Sequence, residues 1–138
     1  MIVYKIVAPT GISHTYHSFS VAYQMPWDVI YKVGQTSHPK LEDSALMAFG
    51  TLDQAISFAG ARYCLGEAVI LRCEAKRSRK RRGYLLNWQM LDKLKDFWKY
   101  RRNRGNNWII TPEGTVFCDE ITPLEIVQID QSESLYNS

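Results

Sequence analysis

The spacing of apolar and polar positions changes several times along the chain, and each change marks an element. Ile2 to Val7 is β-branched and aromatic almost throughout, the composition of a strand. Trp27 to Val33 alternates, with Val29, Tyr31 and Val33 on one side and Ile30 and Lys32 on the other, and predicts a second strand. Between them, Pro9 to Gln24 is polar and broken by Pro9 and Gly11, so it is assigned to no element. Gly34 to Asp43 reads as a loop, and Ala45 to Phe49 as a short buried strand. Thr51 then opens a helix. Gln54, three residues on, completes a capping box, Leu52, Ala55, Ile56 and Ala59 recur at helical spacing, and Gly60 or Gly66 ends the run. Glu67 to Ala75 returns to alternation, with Val69, Leu71 and Cys73 on one face and Ala68, Ile70 and Arg72 on the other.

The longest periodic run follows. From Tyr84 to about Arg102, Leu86, Met90, Leu91, Leu94, Phe97 and Trp98 form a stripe that only an α-helix aligns, with Gly105 as its stop. Trp108 to Thr111 and Thr115 to Cys118 read as strands about the turn Pro112-Glu113-Gly114, Leu124 to Ile129 as a last strand, and Gln131 to Ser138 as a polar tail. With 138 residues, 46% of them hydrophobic, the chain is long enough for one continuous core and shows no internal repeat. The expected architecture is a single α+β domain over residues 1–130. Its sheet is mainly antiparallel or mixed, with one short and one long amphipathic helix.

Charge changes this picture more than composition does. Thirteen of the seventeen Lys and Arg residues lie between Arg72 and Arg104, where only three acids stand, so a window of net +10 sits in a chain whose other residues sum to −7. The densest part, Lys76, Arg77, Arg79, Lys80, Arg81 and Arg82 around Ser78, is expected to be an exposed loop, because mutual repulsion opposes its compaction. On the predicted helix, Lys95, Lys99 and Arg102 share one stripe with Lys93 to one side, and Arg101 and Arg104 complete this second basic cluster. Tyr100 and Trp108 flank Arg101 to Asn107, well placed for bases to stack on. Such a block points to a polyanion: nucleic acid, RNA or DNA, or else an acidic protein. Solvation of the block, or its pairing with the acidic remainder, is the structural alternative.

Other chemistries are less well supported. Cys64, Cys73 and Cys118 are odd in number and far apart, which suits reduced thiols in the cytoplasm, and no cysteine has a second Cys or a His within four residues, so neither metal nor cofactor is expected. His14 and His17 read as members of a polar loop. No apolar run approaches a membrane span, and the strand at Ile2 begins without a basic leader, so an unexported protein is expected. Ser18-Phe19-Ser20 with Glu120 to Glu125 resembles the serine motif and late glutamate of small ADP-ribosyltransferases. That class also needs an early Arg or His on its first strand, and none stands there. The carboxylate pairs Glu42-Asp43 and Asp119-Glu120 read as loop and turn residues.

A different resemblance covers Trp27 to Ile129. Tyr31-Lys32-Val33-Gly34, a variable loop, Ala48-Phe49-Gly50-Thr51-Leu52-Asp53-Gln54-Ala55, the strand Val69-Ile70-Leu71 and the late Gly114-Thr115-Val116-Phe117-Cys118-Asp119-Glu120-Ile121 resemble a family of small phage and prophage domains. Met47-Ala48 stands where that family carries a glycine-histidine pair, and the basic insertion is additional. The resemblance implies a fold and a mobile-element setting, without an activity. The reading that results is a non-enzymatic nucleic-acid-binding module of low sequence specificity.

Overall fold

The computed structural model describes residues 1–18, 29–40, 45–78 and 113–128. In chain order they form β1 (Ile2–Pro9), β2 (Thr15–Ser18), β3 (Ile30–Lys32), β4 (Leu46–Phe49), α1 (Leu52–Ala59), α2 (Ala61–Cys64), β5 (Val69–Arg77) and β6 (Thr115–Ile126). β1 pairs along one edge with β5, from Ile2 opposite Glu74 to Val7 opposite Val69. Its other edge is divided, with Tyr4 opposite Phe49 of β4 and Val7 to Pro9 opposite Ser18 to Tyr16 of β2, which in turn pairs with β3. β4 pairs with the start of β6, and the rest of β6 pairs with β5. The ring β1, β4, β6, β5 therefore closes on itself, every contact antiparallel. Closure removes the long unpaired edges that an open sheet of these strands would expose.

The α+β expectation is thereby overturned: the described residues are mostly strand, with two short helices packed on a closed barrel. Alternation in each strand indicates which face is buried but not which strands meet, and ring closure depends on pairings as distant as Ile2 with Glu74. The expected long helix from Tyr84 to Arg102, the strand at Trp108 to Thr111 and the tail lie outside the described residues. Two local readings also change. Pro9 to Gln24 contains a strand, β2, and Thr115 to Cys118 is continuous with the residues from Leu124 onward rather than separate from them. Pro123 does not end β6 because it sits where the register slips between Arg72 and Cys73; its carbonyl accepts the Gly34 N–H at 2.8 Å.

Two apolar clusters hold the barrel. Val3 and Val7 of β1, Tyr31 of β3, Leu71 and Cys73 of β5 and Cys118 and Ile121 of β6 fill the first, and all are buried. Ile6, Phe49 and Ile70 belong to the second, where Ala55 and Ala59 of α1 and Tyr63 of α2 cover them. Each such aliphatic side chain removed from water contributes roughly 1.5–3 kcal/mol. Ser37 ties the predicted loop to the wall: its N–H and C=O bond with Ile121 at 2.8 and 3.1 Å, and its hydroxyl donates to the Ile30 carbonyl at 2.8 Å.

Thr51 caps α1 as its sequence signature predicts, its Oγ1 accepting the Gln54 N–H at 3.2 Å, and Gly60 ends the helix with its N–H on the Ile56 carbonyl. The Gln54 amide reaches the Thr51 hydroxyl at 3.0 Å rather than its backbone, and it lies over Gly114. Gly114 has φ +85°, and a Cβ there would come within 2.0 Å of Gln54 Oε1. Gly114→Ala is expected to cost about 1–2 kcal/mol for the left-handed backbone, plus the displaced cap contact, read as a lower urea midpoint.

Candidate polyanion interface

β5 leads out of the barrel into the basic segment. Its outward residues are Arg72, Glu74 and Lys76, alternating with buried Cys73 and Ala75. The sequence reading placed Lys76 and Arg77 in a loop, but both belong to β5, opposite Glu120 and Cys118 of β6. Lys76 is admitted because its side of the ribbon faces water, and the ladder continues past Arg77 through buried Ser78, whose N–H donates to the Phe117 carbonyl at 2.8 Å. The chain is next described at Glu113 and Gly114, where the Gly114 carbonyl accepts the Gly50 N–H at 2.9 Å. Residues 79–112 lie in sequence between these two paired strands. They hold ten cations against two acids, net +8, and leave −5 to the rest of the chain.

Of the residues predicted to meet a polyanion, Lys76 and Arg77 are placed, both exposed at the end of β5. Arg79, Lys80, Arg81, Arg82, Lys95, Lys99, Tyr100, Arg101, Arg102, Arg104 and Trp108 lie outside the described residues. The acidic remainder does meet part of the block. Arg72 Nη1 is 3.6 Å from Glu125 Oε1, while Glu74, an acid within the block, receives the Met1 ammonium at 2.7 Å. Exposed pairs of this kind contribute little to stability.

His38 meets a carboxylate, its Nε2 3.3 Å from Glu120 Oε1. His14 has φ +58° in the turn before β2, and His17 lies within β2 with Nδ1 3.2 Å from the Ser18 carbonyl. Ser18, the described part of the serine motif, is buried, whereas Glu120 and Glu125 face outward on β6. Among the described residues no group of three His, Cys, Asp or Glu side chains is arranged to hold a metal, and no helix is long and apolar enough to cross a membrane.

Sequence reasoning missed Lys5. It is 7% exposed inside the barrel, its Nζ donating to the Met47 carbonyl at 2.6 Å and standing 5.4 Å from the centre of the Tyr31 ring. The signal was present: on a strand, Lys5 shares a face with Val3 and Val7. Burial pushes the Cys73 thiol up to about 12 and the Cys118 thiol up to about 11, and the nearby Lys5 charge opposes both shifts. Protonated, buried thiols are poor nucleophiles, which argues against either as a catalytic cysteine. Cys64 is exposed on α2. No protein family, curated protein or solved structure was found to match this chain.

Proposed function

We propose that this chain is a non-enzymatic module that binds nucleic acid, RNA or single strands foremost, through phosphate contacts from the basic segment that β5 and β6 carry. The observation that carries the reading is topological. In sequence the net +8 of residues 79–112 lies between β5 and β6, two strands that pair with each other in the closed barrel. Six cations between Lys76 and Arg82, each meeting one phosphate, give a slope of log affinity against log salt of about −5 on duplex DNA and about −4 on single strands. Contacts of this type carry no base information, hence the low specificity. A setting in a phage or other mobile element, which the family resemblance suggests, belongs to the same proposal.

The test is fluorescence anisotropy with a single-stranded oligonucleotide across a salt series. Reversing Lys80, Arg81 and Arg82 to Glu is expected to weaken binding more than tenfold and to remove about three contacts from the slope. No binding by the native chain at low salt would sink the reading. In parallel, complexes that survive nuclease in a pull-down would indicate an acidic protein as the partner instead.

A further inference from the structure

We infer that Lys5 bolts together two separately paired parts of the barrel wall, and that the barrel opens first along the join that Lys5 spans. β1 and β6 each divide one edge between two partners. On β1, β4 takes Tyr4 and β2 takes Val7 to Pro9. On β6, β4 takes Thr115 to Cys118, while Ile121 meets Ser37, whose hydroxyl ties it to β3 at the Ile30 carbonyl. The wall that faces β5 across the ring is therefore built from two panels, β4 on one side and β2 with β3 on the other. Among the described residues no ladder joins the two panels. The strands they share are held more firmly, by ladders that run from Ile2 with Glu74 to Val7 with Val69 and from Leu71 with Ile126 to Arg77 with Cys118. Lys5 comes from the stretch of β1 between its two partners, after Tyr4 and before Val7. Its buried side chain reaches both panels: Nζ donates to the Met47 carbonyl of β4 at 2.6 Å and lies 5.4 Å from the centre of the Tyr31 ring of β3. An ammonium taken out of water needs partners of this kind. These two lie on opposite sides of the join, so parting the panels takes at least one of them away.

Lys5→Met tests this, because it nearly keeps the length of the side chain and removes its charge and its donors. The Gly50 N–H is fastened to the Gly114 carbonyl beside β4, and the Ser37 N–H to the Ile121 carbonyl beside β3. Amide exchange at one or both is expected to accelerate about tenfold or more, the effect of losing a buried charged hydrogen bond, while the β1–β5 ladder changes by less than about threefold. A second readout is the labelling of Cys73 and Cys118 by N-ethylmaleimide in a Cys64→Ser background, where the exposed thiol is gone. Both thiols lie in the apolar cluster that holds Tyr31 and Leu46, and their labelling is also expected to rise about tenfold. Loss of the Lys5 charge by itself disfavours thiolate and slows labelling, so a faster reaction reports opening of the barrel. Unchanged or slower exchange and labelling in Lys5→Met overturns the inference, and is the result if the buried charge is a cost that an apolar side chain relieves. Should that variant not fold, the native chain decides. With urea added below the midpoint, exchange at Gly50 or Ser37 is expected to show the weak urea dependence of a local opening, and the β1–β5 ladder the full dependence of global unfolding. One common dependence for all of these amides overturns the inference.

Discussion

Replacing residues 79–112 with a short glycine-serine linker is expected to leave a folded barrel that no longer holds nucleic acid. Every pairing of the ring, β1 with β4 and β5 and β6 with β4 and β5, is made by residues outside that segment. Both ends of the excision are anchored independently, Ser78 on Phe117 and Gly114 on Gly50. Closing a shorter loop is favourable by only about 0.6 kcal/mol per halving of its length, so the entropic gain is modest and the melting transition stays cooperative. Binding responds very differently. Of the six cations between Lys76 and Arg82 only Lys76 and Arg77 survive, and two contacts support a single-strand salt slope of about −1.4 instead of about −4. Circular dichroism melts of the two chains, set beside anisotropy titrations at low salt, check both halves. Loss of the cooperative transition on excision would show that the segment is part of the fold, and retention of the full slope would remove it as the seat of binding.

How much of this was legible in the sequence depended on the range of the interaction. Thr51, Gln54 and Gly60 announced α1 because a cap and its partner are three residues apart. The faces of β5 were legible for a similar reason, since Leu71 and Cys73 against Ile70 and Arg72 is a property of one strand. Barrel closure was not legible. It depends on β1 offering both edges, to Glu74 on one side and Phe49 on the other, and nothing in Ile2 to Val7 names those partners. The continuity of β6 through Pro123 was not legible either, since a proline normally interrupts a ladder and here it sits at the register slip opposite Cys73. In the candidate site, the basic block was visible as composition. That Lys76 and Arg77 lie on a strand, opposite Glu120 and Cys118 of β6, was not, because like-charged residues in sequence suggest a loop until their partner strand is known.

Raising the pH from 7 to about 10.5 is expected to destabilise the fold by several kcal/mol, largely through Cys73 and Cys118. Both side chains are fully buried, and burial lifts their thiols from 9.0 to about 12 and about 11. A folded-state value above the unfolded one means that the unfolded chain loses its protons first. The stabilisation is complete below pH 9 and is withdrawn as pH rises from 9 toward 12. At pH 10.5 each thiol contributes a loss of about 2 kcal/mol, large against a typical total stability of about 5–15 kcal/mol. Tyr63, raised by burial and then by Cys64 while its hydroxyl bonds the Val127 carbonyl, adds a loss of the same sign. Lys5 acts in the other direction on the thiols, because its charge beside them favours thiolate, but desolvation is the larger cause at both. The double substitution Cys73→Ala, Cys118→Ala separates these contributions. It is expected to cost about 1–3 kcal/mol at pH 7 through lost packing, and to flatten the fall in stability between pH 9 and 10.5 while leaving the part due to Tyr63 in place. Urea denaturation of both chains at a series of pH values measures this directly. An equally steep alkaline loss in the double variant would assign the effect to groups other than the two thiols.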